Sequence, residues 1–266
     1  MKIAAIQMNS QDDKDANCAE AERLVRAAAA DGATLIVLPE YFACLSASDS
    51  LQRESGEPFP QGGIFHRFSA LARELKVTLH AGSVVESEGA ARYNTTAVFG
   101  PTGEVIAKYR KIHLFDVEVP GGITYLESSR VGRGTEIVTY EVDGQKVGCA
   151  ICYDIRFPEL FRKLRDEGCD IIVLPAAFTL QTGKDHWEVL SRARAIETQT
   201  YFVACGQVFT HGNGTKACWG HSMVIDPWGS VVAQASDRVG FIVATLDDDY
   251  TASVRRNVPV ASHHVL

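Results

Sequence analysis

Lys146-Val-Gly-Cys-Ala-Ile-Cys152-Tyr-Asp-Ile-Arg-Phe-Pro-Glu-Leu160 decides how this chain folds. Val147 to Ile151 is a short apolar run with the character of a buried strand. Phe157-Pro-Glu-Leu opens a helix, with Pro158 at an early position where a missing N–H does no harm. Cys152 therefore falls where a strand ends and a helix is about to begin. That position predicts a side chain at the rim of a sheet, facing backbone N–H groups that favour a thiolate and an oxyanion alike.

Working outward, the chain repeats itself. Lys2-Ile-Ala-Ala-Ile-Gln7 is echoed by Lys146-Val-Gly-Cys-Ala-Ile151, and Leu35-Ile-Val-Leu-Pro39 by Ile171-Ile-Val-Leu-Pro175. Ala97-Val-Phe-Gly-Pro-Thr-Gly-Glu-Val105 matches Met223-Val-Ile-Asp-Pro-Trp-Gly-Ser-Val231 in register. Helical spacing of apolar residues precedes the second strand of each pair. Matches in the same order, at a period too long for a solenoid, predict two α/β halves, about 1–110 and 136–246, within a single domain spanning 1–266. Two sheets with helices on their outer faces then stack as a four-layer α-β-β-α sandwich with pseudo-twofold symmetry. The stretches 46–63 and 110–133, rich in Gly, Pro and polar residues, are expected to be loops, and Val77 to Val85 one strand. A loop as long as the second is expected to be functional.

Composition narrows the function. The 266 residues carry a formal net charge of −7, which argues against broad nucleic-acid binding and attraction to an anionic membrane surface. No apolar run reaches the length of a membrane span. The N-terminus enters a strand pattern without a signal-peptide core. Seven cysteines, an odd number scattered through apolar segments, do not form a disulfide framework. A reducing cytoplasm is the expected setting.

Three polar residues follow apolar strands: Glu40, Lys111 and Cys152. A carboxylate to take the thiol proton, a thiolate to attack and a cation to stabilise the carbonyl oxygen are the minimal parts for covalent acyl transfer. Cys149-Ala-Ile-Cys152 also forms a C-x-x-C, so a thiol redox protein is the rival from another class. Residues three apart on a strand face opposite sides, which counts against that pairing. The histidines and cysteines lack the spacing of a zinc site.

Leu38-Pro-Glu40-Tyr-Phe, Tyr109-Arg-Lys111-Ile-His-Leu-Phe-Asp and Gly148-Cys-Ala-Ile-Cys152-Tyr-Asp-Ile-Arg-Phe-Pro-Glu-Leu resemble the three signatures of the nitrilase superfamily of carbon–nitrogen hydrolases. The resemblance spans essentially the whole chain and points to the Nit branch, which holds ω-amidases and deaminated glutathione amidases. It implies the α-β-β-α fold, Glu40 as general base, Lys111 as electrostatic stabiliser and Cys152 as the nucleophile that forms a thioester. It further implies Glu127 as a second glutamate that orients substrate or assists proton transfer, and the Tyr153 backbone N–H as the oxyanion partner of Lys111. Arg156 matches a position that grips a substrate carboxylate, and Phe178 and Thr182 match pocket-lining positions. Gly122-Ile-Thr-Tyr-Leu-Glu-Ser128 looks like the ω-amidases, whereas Cys205-Gly-Gln-Val-Phe-Thr-His211 looks like the deaminated glutathione amidases. The implied substrate is a small linear carboxamide bearing a carboxylate, with hydrolysis of an N-carbamoyl group as the alternative. No metal or organic cofactor is implied. A homodimer or higher homo-oligomer is, with the helices after Cys152 and the C-terminal tail as contacts.

Overall fold

Short runs of β-branched and aliphatic residues, buried on both faces, become the parallel strands of two sheets. The computed structural model describes residues 1–119, 123–212 and 214–265. The first part of the chain forms β1 (Lys2–Gln7), α1 (Lys14–Ala30), β2 (Leu35–Val37), α2 (Asp49–Glu54) and β3 (Glu57–Pro58). It continues through α3 (Gly63–Leu75), β4 (Thr78–His80), β5 (Val84–Glu88), β6 (Ala91–Phe99) and β7 (Val105–Arg110). A hairpin of β8 (Asp116–Val119) and β9 (Ile123–Leu126) leads to a 3-10 turn, Glu127–Ser129. The second part begins with β10 (Thr139–Val142) and β11 (Gln145–Cys149), then a 3-10 turn, Cys152–Arg156, and α4 (Pro158–Asp166). It proceeds through β12 (Ile171–Ala176), α5 (Leu180–Thr198), β13 (Tyr201–Gly206), β14 (Val208–His211) and β15 (Lys216–Trp219). Last come β16 (Met223–Ile225), β17 (Val231–Gln234), β18 (Gly240–Thr245), α6 (Asp248–Asn257) and a 3-10 turn, Val260–His263.

One sheet runs β18-β1-β2-β4-β6-β5-β3 with β7 on β6, and the other runs β10-β11-β12-β13-β16-β17. The triplets β1-β2-β4 and β11-β12-β13 are both parallel, so their C-terminal ends point the same way within each sheet. Alternation along β1 and β2 separates the layers. Ile3, Ala5, Leu35 and Val37 pack with β11–β13 between the sheets, while Ala4, Ile6, Ile36 and Leu38 pack under α1 and α3. Phe161, Leu164, Trp187 and Ala195 bring α4 and α5 onto the outer face of the second sheet. The layers are α-β-β-α. At the strand ends the sheets touch: Met8 and Gln207 form an isolated parallel bridge, and Val208 N donates to Met8 O at 2.8 Å. β18 belongs by sequence to the second repeat but pairs antiparallel with β1 in the first sheet.

The structure departs from the sequence expectations in three places. The stretch 46–63 holds α2, capped by Ser48, and the short strand β3. Val77 to Val85 is two strands, because Gly82 (φ +42) turns against Pro39 O, where a Cβ would lie 2.1 Å away. Only glycine tolerates that approach. The stretch 110–133 contains the β8–β9 hairpin, whose strands are only four residues each and so give a short pattern. Gly122, singled out in that stretch, lies outside the described residues. Strand β18 and helix α6 had no expectation attached.

Candidate active site

The site forms where the chain leaves β2, β7, β11 and β12, outside the carboxyl ends of the parallel strands in the manner of open α/β sheets. Glu40 follows β2 by three residues. Its turn is pinned by the neighbouring 81–83 segment: Tyr41 N donates to Ser83 Oγ at 3.1 Å and Phe42 N to Ser83 O at 3.2 Å. Lys111 continues β7, and its backbone N–H donates to Asn94 O on β6 at 2.9 Å. Cys152 opens the turn after β11 with φ +44. A non-glycine residue there costs roughly 1–2 kcal/mol. The surrounding bonds hold it: Asp154 Oδ2 accepts from Ile151 N at 2.8 Å and from Tyr109 OH at 2.7 Å. Asp154 Oδ1 accepts from His113 N at 3.0 Å and lies 2.7 Å from His113 Nδ1.

These elements bring Glu40, Lys111, Glu127 and Cys152 into one buried cluster. Lys111 Nζ donates to Glu40 Oε1 at 3.0 Å and to Glu127 Oε2 at 2.8 Å. Asn94 Nδ2 bridges the same carboxylates, at 2.8 Å to Glu40 and 3.1 Å to Glu127. Glu40 Oε2 accepts from Ala177 N at 2.7 Å. Glu127 also accepts from Phe115 N at 2.7 Å and Tyr41 OH at 3.0 Å. Burial alone would strip the charge from Lys111, yet Glu127 and then Glu40 outweigh it and hold its pKa well above the ordinary lysine range. Burial opposes ionisation of Glu127 as well, but Lys111 wins and keeps that carboxyl below its usual range. The cluster is therefore a preorganised set of full charges in a low-dielectric site, where their effect on a reacting carbonyl is largest.

Cys152 corrects an expectation. Its side chain is only 7% exposed, so it is not an open rim thiol. Burial first, and then the Glu40 charge, push the thiol well above its ordinary pKa, with Lys111 opposing. The helix does not activate it, because α4 starts six residues later, at Pro158. Beside the Glu40 carboxylate, Cys152 is therefore held toward its neutral thiol form.

A cleft of about 620 Å³ including its open mouth lies over the cluster, lined among others by Glu40, Tyr41, Lys111, Glu127 and Cys152. The implied substrate-binding residues sit differently. Tyr153 packs its ring on Phe115 and Phe157, at 5.0 and 5.3 Å between centroids. Phe178 packs on Trp187, and Thr182 Oγ1 lies 2.7 Å from Thr179 Oγ1. The Arg156 guanidinium lies 5.3 Å from the Phe178 ring centre, with both terminal nitrogens 3.3 Å from His186 Nδ1. The Arg156, Phe178 and Thr182 side chains are not among the residues that line the cleft; Tyr153 is implicated through its backbone N–H, not its ring. Asp154 pairs with Tyr109 and His113, not with Arg156.

Sequence reasoning passed over Asn94, Tyr41 and Asp154. Asn94 stood at the start of a hairpin strand, Asn94 to Phe99, and nothing marked it; Tyr41 and Asp154 lie within two residues of Glu40 and Cys152, and that proximity was the available signal. Cys149 is fully buried in β11, where burial raises its thiol pKa, which counts against a redox pairing with Cys152.

A four-layer α-β-β-α sandwich with a buried thiol, two carboxylates and an ammonium at its strand ends is a hydrolase of the nitrilase superfamily. Residues 2–256 match the family described as carbon–nitrogen hydrolase, and the chain belongs to that family. It is an enzyme that hydrolyses amide C–N bonds. It is 39% identical over 259 residues to human omega-amidase NIT2, covering 97% of this chain and 93% of that one. It is 40% identical over 273 residues to deaminated glutathione amidase from Synechocystis sp. strain PCC 6803, covering 98% and 97%. The crystal structure of the C. elegans NitFhit protein superposes with a TM-score of 0.90 at 36% identity, covering 99% of this chain and 64% of that one. Saccharomyces cerevisiae Nit3, described as a member of branch 10 of the nitrilase superfamily, gives 0.88 at 32% identity, covering 98% and 94%.

Proposed function

We propose that this enzyme hydrolyses small linear carboxamides bearing a carboxylate, through a thioester on Cys152. Glu40 takes the Cys152 proton as sulfur attacks the amide carbon. Lys111 Nζ and the Tyr153 N–H hold the oxygen as it gains charge. The C–N bond then breaks, Glu40 passes the proton to the departing ammonia or amine, and a thioester remains. Water attacks the thioester with Glu40 again as base, releasing the acid and restoring the thiol. Glu127, anchored by four donors, keeps Lys111 charged and aimed. Arg156, which lies just outside the cleft lining beside Phe178 and against His186, is the proposed holder of the acyl-side carboxylate, with Phe178 and Thr182 as the matching pocket positions. In support, no carboxylate among the described residues pairs with its guanidinium, which suits a planar anion.

The observation that carries this is the shared hydrogen bonding of Glu40, Lys111 and Glu127 beside Cys152 under one cleft. The similarity to an omega-amidase and a deaminated glutathione amidase supports the acidic-amide substrate class over an N-carbamoyl compound. We further infer a homodimer or higher homo-oligomer. A cytoplasmic setting is in keeping with seven free, buried thiols; no helix among the described residues is long and apolar enough to cross a membrane. An ammonia-release screen across monoamides of dicarboxylates, deaminated glutathione and N-carbamoyl acids tests the substrate class. Turnover confined to the N-carbamoyl compounds would overturn it.

A further inference from the structure

The turn that carries Glu40 is held from both halves of the chain, and its holder in the second half lies outside the cleft. On the first-half side, Ser83 accepts from Tyr41 N and Phe42 N. On the other side stands Gln207, the residue after β13, which is 1% exposed and not among the residues that line the cleft. Its Nε2 donates to Glu40 O at 3.0 Å, across 167 positions of chain, and to Ser10 Oγ at 2.9 Å. Its Oε1 accepts from Ser10 N at 2.9 Å. Ser10, itself fully buried, extends the hold by donating from Oγ to Phe42 O at 2.7 Å.

The backbone of Gln207 closes a ring. Gln207 N donates to Ala176 O at 2.9 Å, and the neighbouring Ala177 N donates to Glu40 Oε2 at 2.7 Å. One residue thus fixes the main chain of Glu40 through its side chain, and the donor to the Glu40 carboxylate through its main chain. The turn needs such support, because Tyr41 stands at φ +54, a conformation that a Cβ disfavours. An amide suits the place, since the side chain must donate twice and accept once away from solvent. A carboxylate would aim an acceptor at Glu40 O. An apolar side chain would leave Glu40 O and Ser10 N without this partner, and buried polar groups are costly to leave unpaired.

We propose that Gln207 is a positioning residue for catalysis, which fixes the reach and direction of Glu40 toward the Cys152 thiol from the opposite half of the molecule. This rests on the general-base role proposed above for Glu40. Gln207 makes no hydrogen bond to Cys152, Lys111 or Glu127 among the described residues, so it acts only through Glu40. Proton transfer is sensitive to such placement: a shift of about 1 Å costs up to about 100-fold in rate.

The test follows ammonia release from the monoamide of succinate by the full chain, as wild type, Gln207→Met, Glu40→Gln and the double variant. Gln207→Met is expected to lower kcat by about 10- to 100-fold with KM little changed. In the Glu40→Gln background the same substitution is expected to cost nothing further, since the group through which it acts is gone. A glutamine that only held the fold together would cost the same factor in both backgrounds. That result, or near-normal kcat in folded Gln207→Met, overturns the proposal and leaves Glu40 as the base. A near-normal rate in Glu40→Gln removes the base, and the role of Gln207 with it. Should Gln207→Met fail to fold by circular dichroism, Ser10→Ala carries the test, because it takes away the hydroxyl that supports both the amide and Phe42 O. Its kcat is expected to fall by about 3- to 10-fold, the scale of one neutral hydrogen bond, and only with Glu40 present. An unchanged kcat in folded Ser10→Ala, or an equal loss in the Glu40→Gln background, overturns the proposal.

Discussion

The floor and the mouth of the cleft solve opposite electrostatic problems. On the floor, Glu40, Lys111 and Glu127 are almost completely withdrawn from water, and each charge has protein partners at 2.7–3.1 Å. At the mouth, Arg130 and Lys216 are partly solvated; Arg130 pairs with the exposed Asp49, and Lys216 has no carboxylate in ion-pair range among the described residues. Strand ends carry Glu40 and Lys111, Glu127 and Arg130 bracket one 3-10 turn, and Lys216 opens a hairpin strand. The difference teaches which charges are set before a substrate arrives. Groups that act on developing charge are satisfied and rigid beforehand, whereas the cations at the mouth keep bonding capacity in reserve.

The largest effect expected from breaking the floor is at Cys152. Cys152→Ala should abolish turnover with the fold intact by circular dichroism, and a slow substrate should leave an acyl adduct on the wild-type peptide containing Cys152. Cys149→Ala, in the strand just behind, should keep substantial activity; equal inactivity in a folded Cys149→Ala would revive a paired-thiol mechanism.

Next come the charged partners. Glu40→Gln and Lys111→Met should each slow acylation by about 10²–10⁴-fold in single-turnover assays. Lys111→Met should also lower stability by roughly 3–5 kcal/mol in urea titrations, because two carboxylates stay buried without their cation. A near-normal rate in either variant removes that residue from the mechanism.

Asn94 sharpens the comparison at a smaller scale. It donates to both carboxylates and touches neither thiol nor oxyanion, so it acts as a positioning residue. Asn94→Ala should reduce kcat by about 10- to 100-fold with little change in KM, in line with the loss of outer hydrogen bonds in other polar sites. A change confined to KM would move Asn94 to the recognition side.

The smallest effect separates pairing from burial. His80 is as buried as Lys111, with Nδ1 3.0 Å from Tyr140 OH, but it has no charged partner among the described residues. Burial therefore wins, and its pKa falls to about 3. The unfolded imidazole takes a proton below about 6.5 and the folded one only below about 3. Stability should fall as pH drops through that window, by up to about 1.4 kcal/mol per unit from this residue. His80→Gln should flatten the slope of unfolding free energy between pH 6.5 and 4 by about one proton. An unchanged slope would mean that the folded His80 is charged. Glu127 behaves with the usual carboxylate sign: its stabilisation is present above the ordinary carboxylate range and lost as pH falls through its lowered pKa.

The sequence by itself determined the sheets and the chemical cast. Apolar runs such as Ile171-Ile-Val-Leu174 carry a local, periodic signal, and their recurrence announced two stacked sheets. Glu40, Lys111 and Cys152 were legible because each directly follows such a run, and the motif resemblance added Glu127. The hairpin β8–β9 and helix α2 were not legible, since their elements are only four to six residues long and too short for a periodic signal. Only the tertiary structure decided that Cys152 is buried as a thiol, that Asn94 bridges the two glutamates, and that Arg130 and Lys216, rather than Arg156, line the cleft. The physical reason is common to all three. Desolvation and Coulomb energy depend on distances between residues far apart in the chain, such as the 3.0 Å from Lys111 to Glu40, and those distances exist only once the sheets have packed.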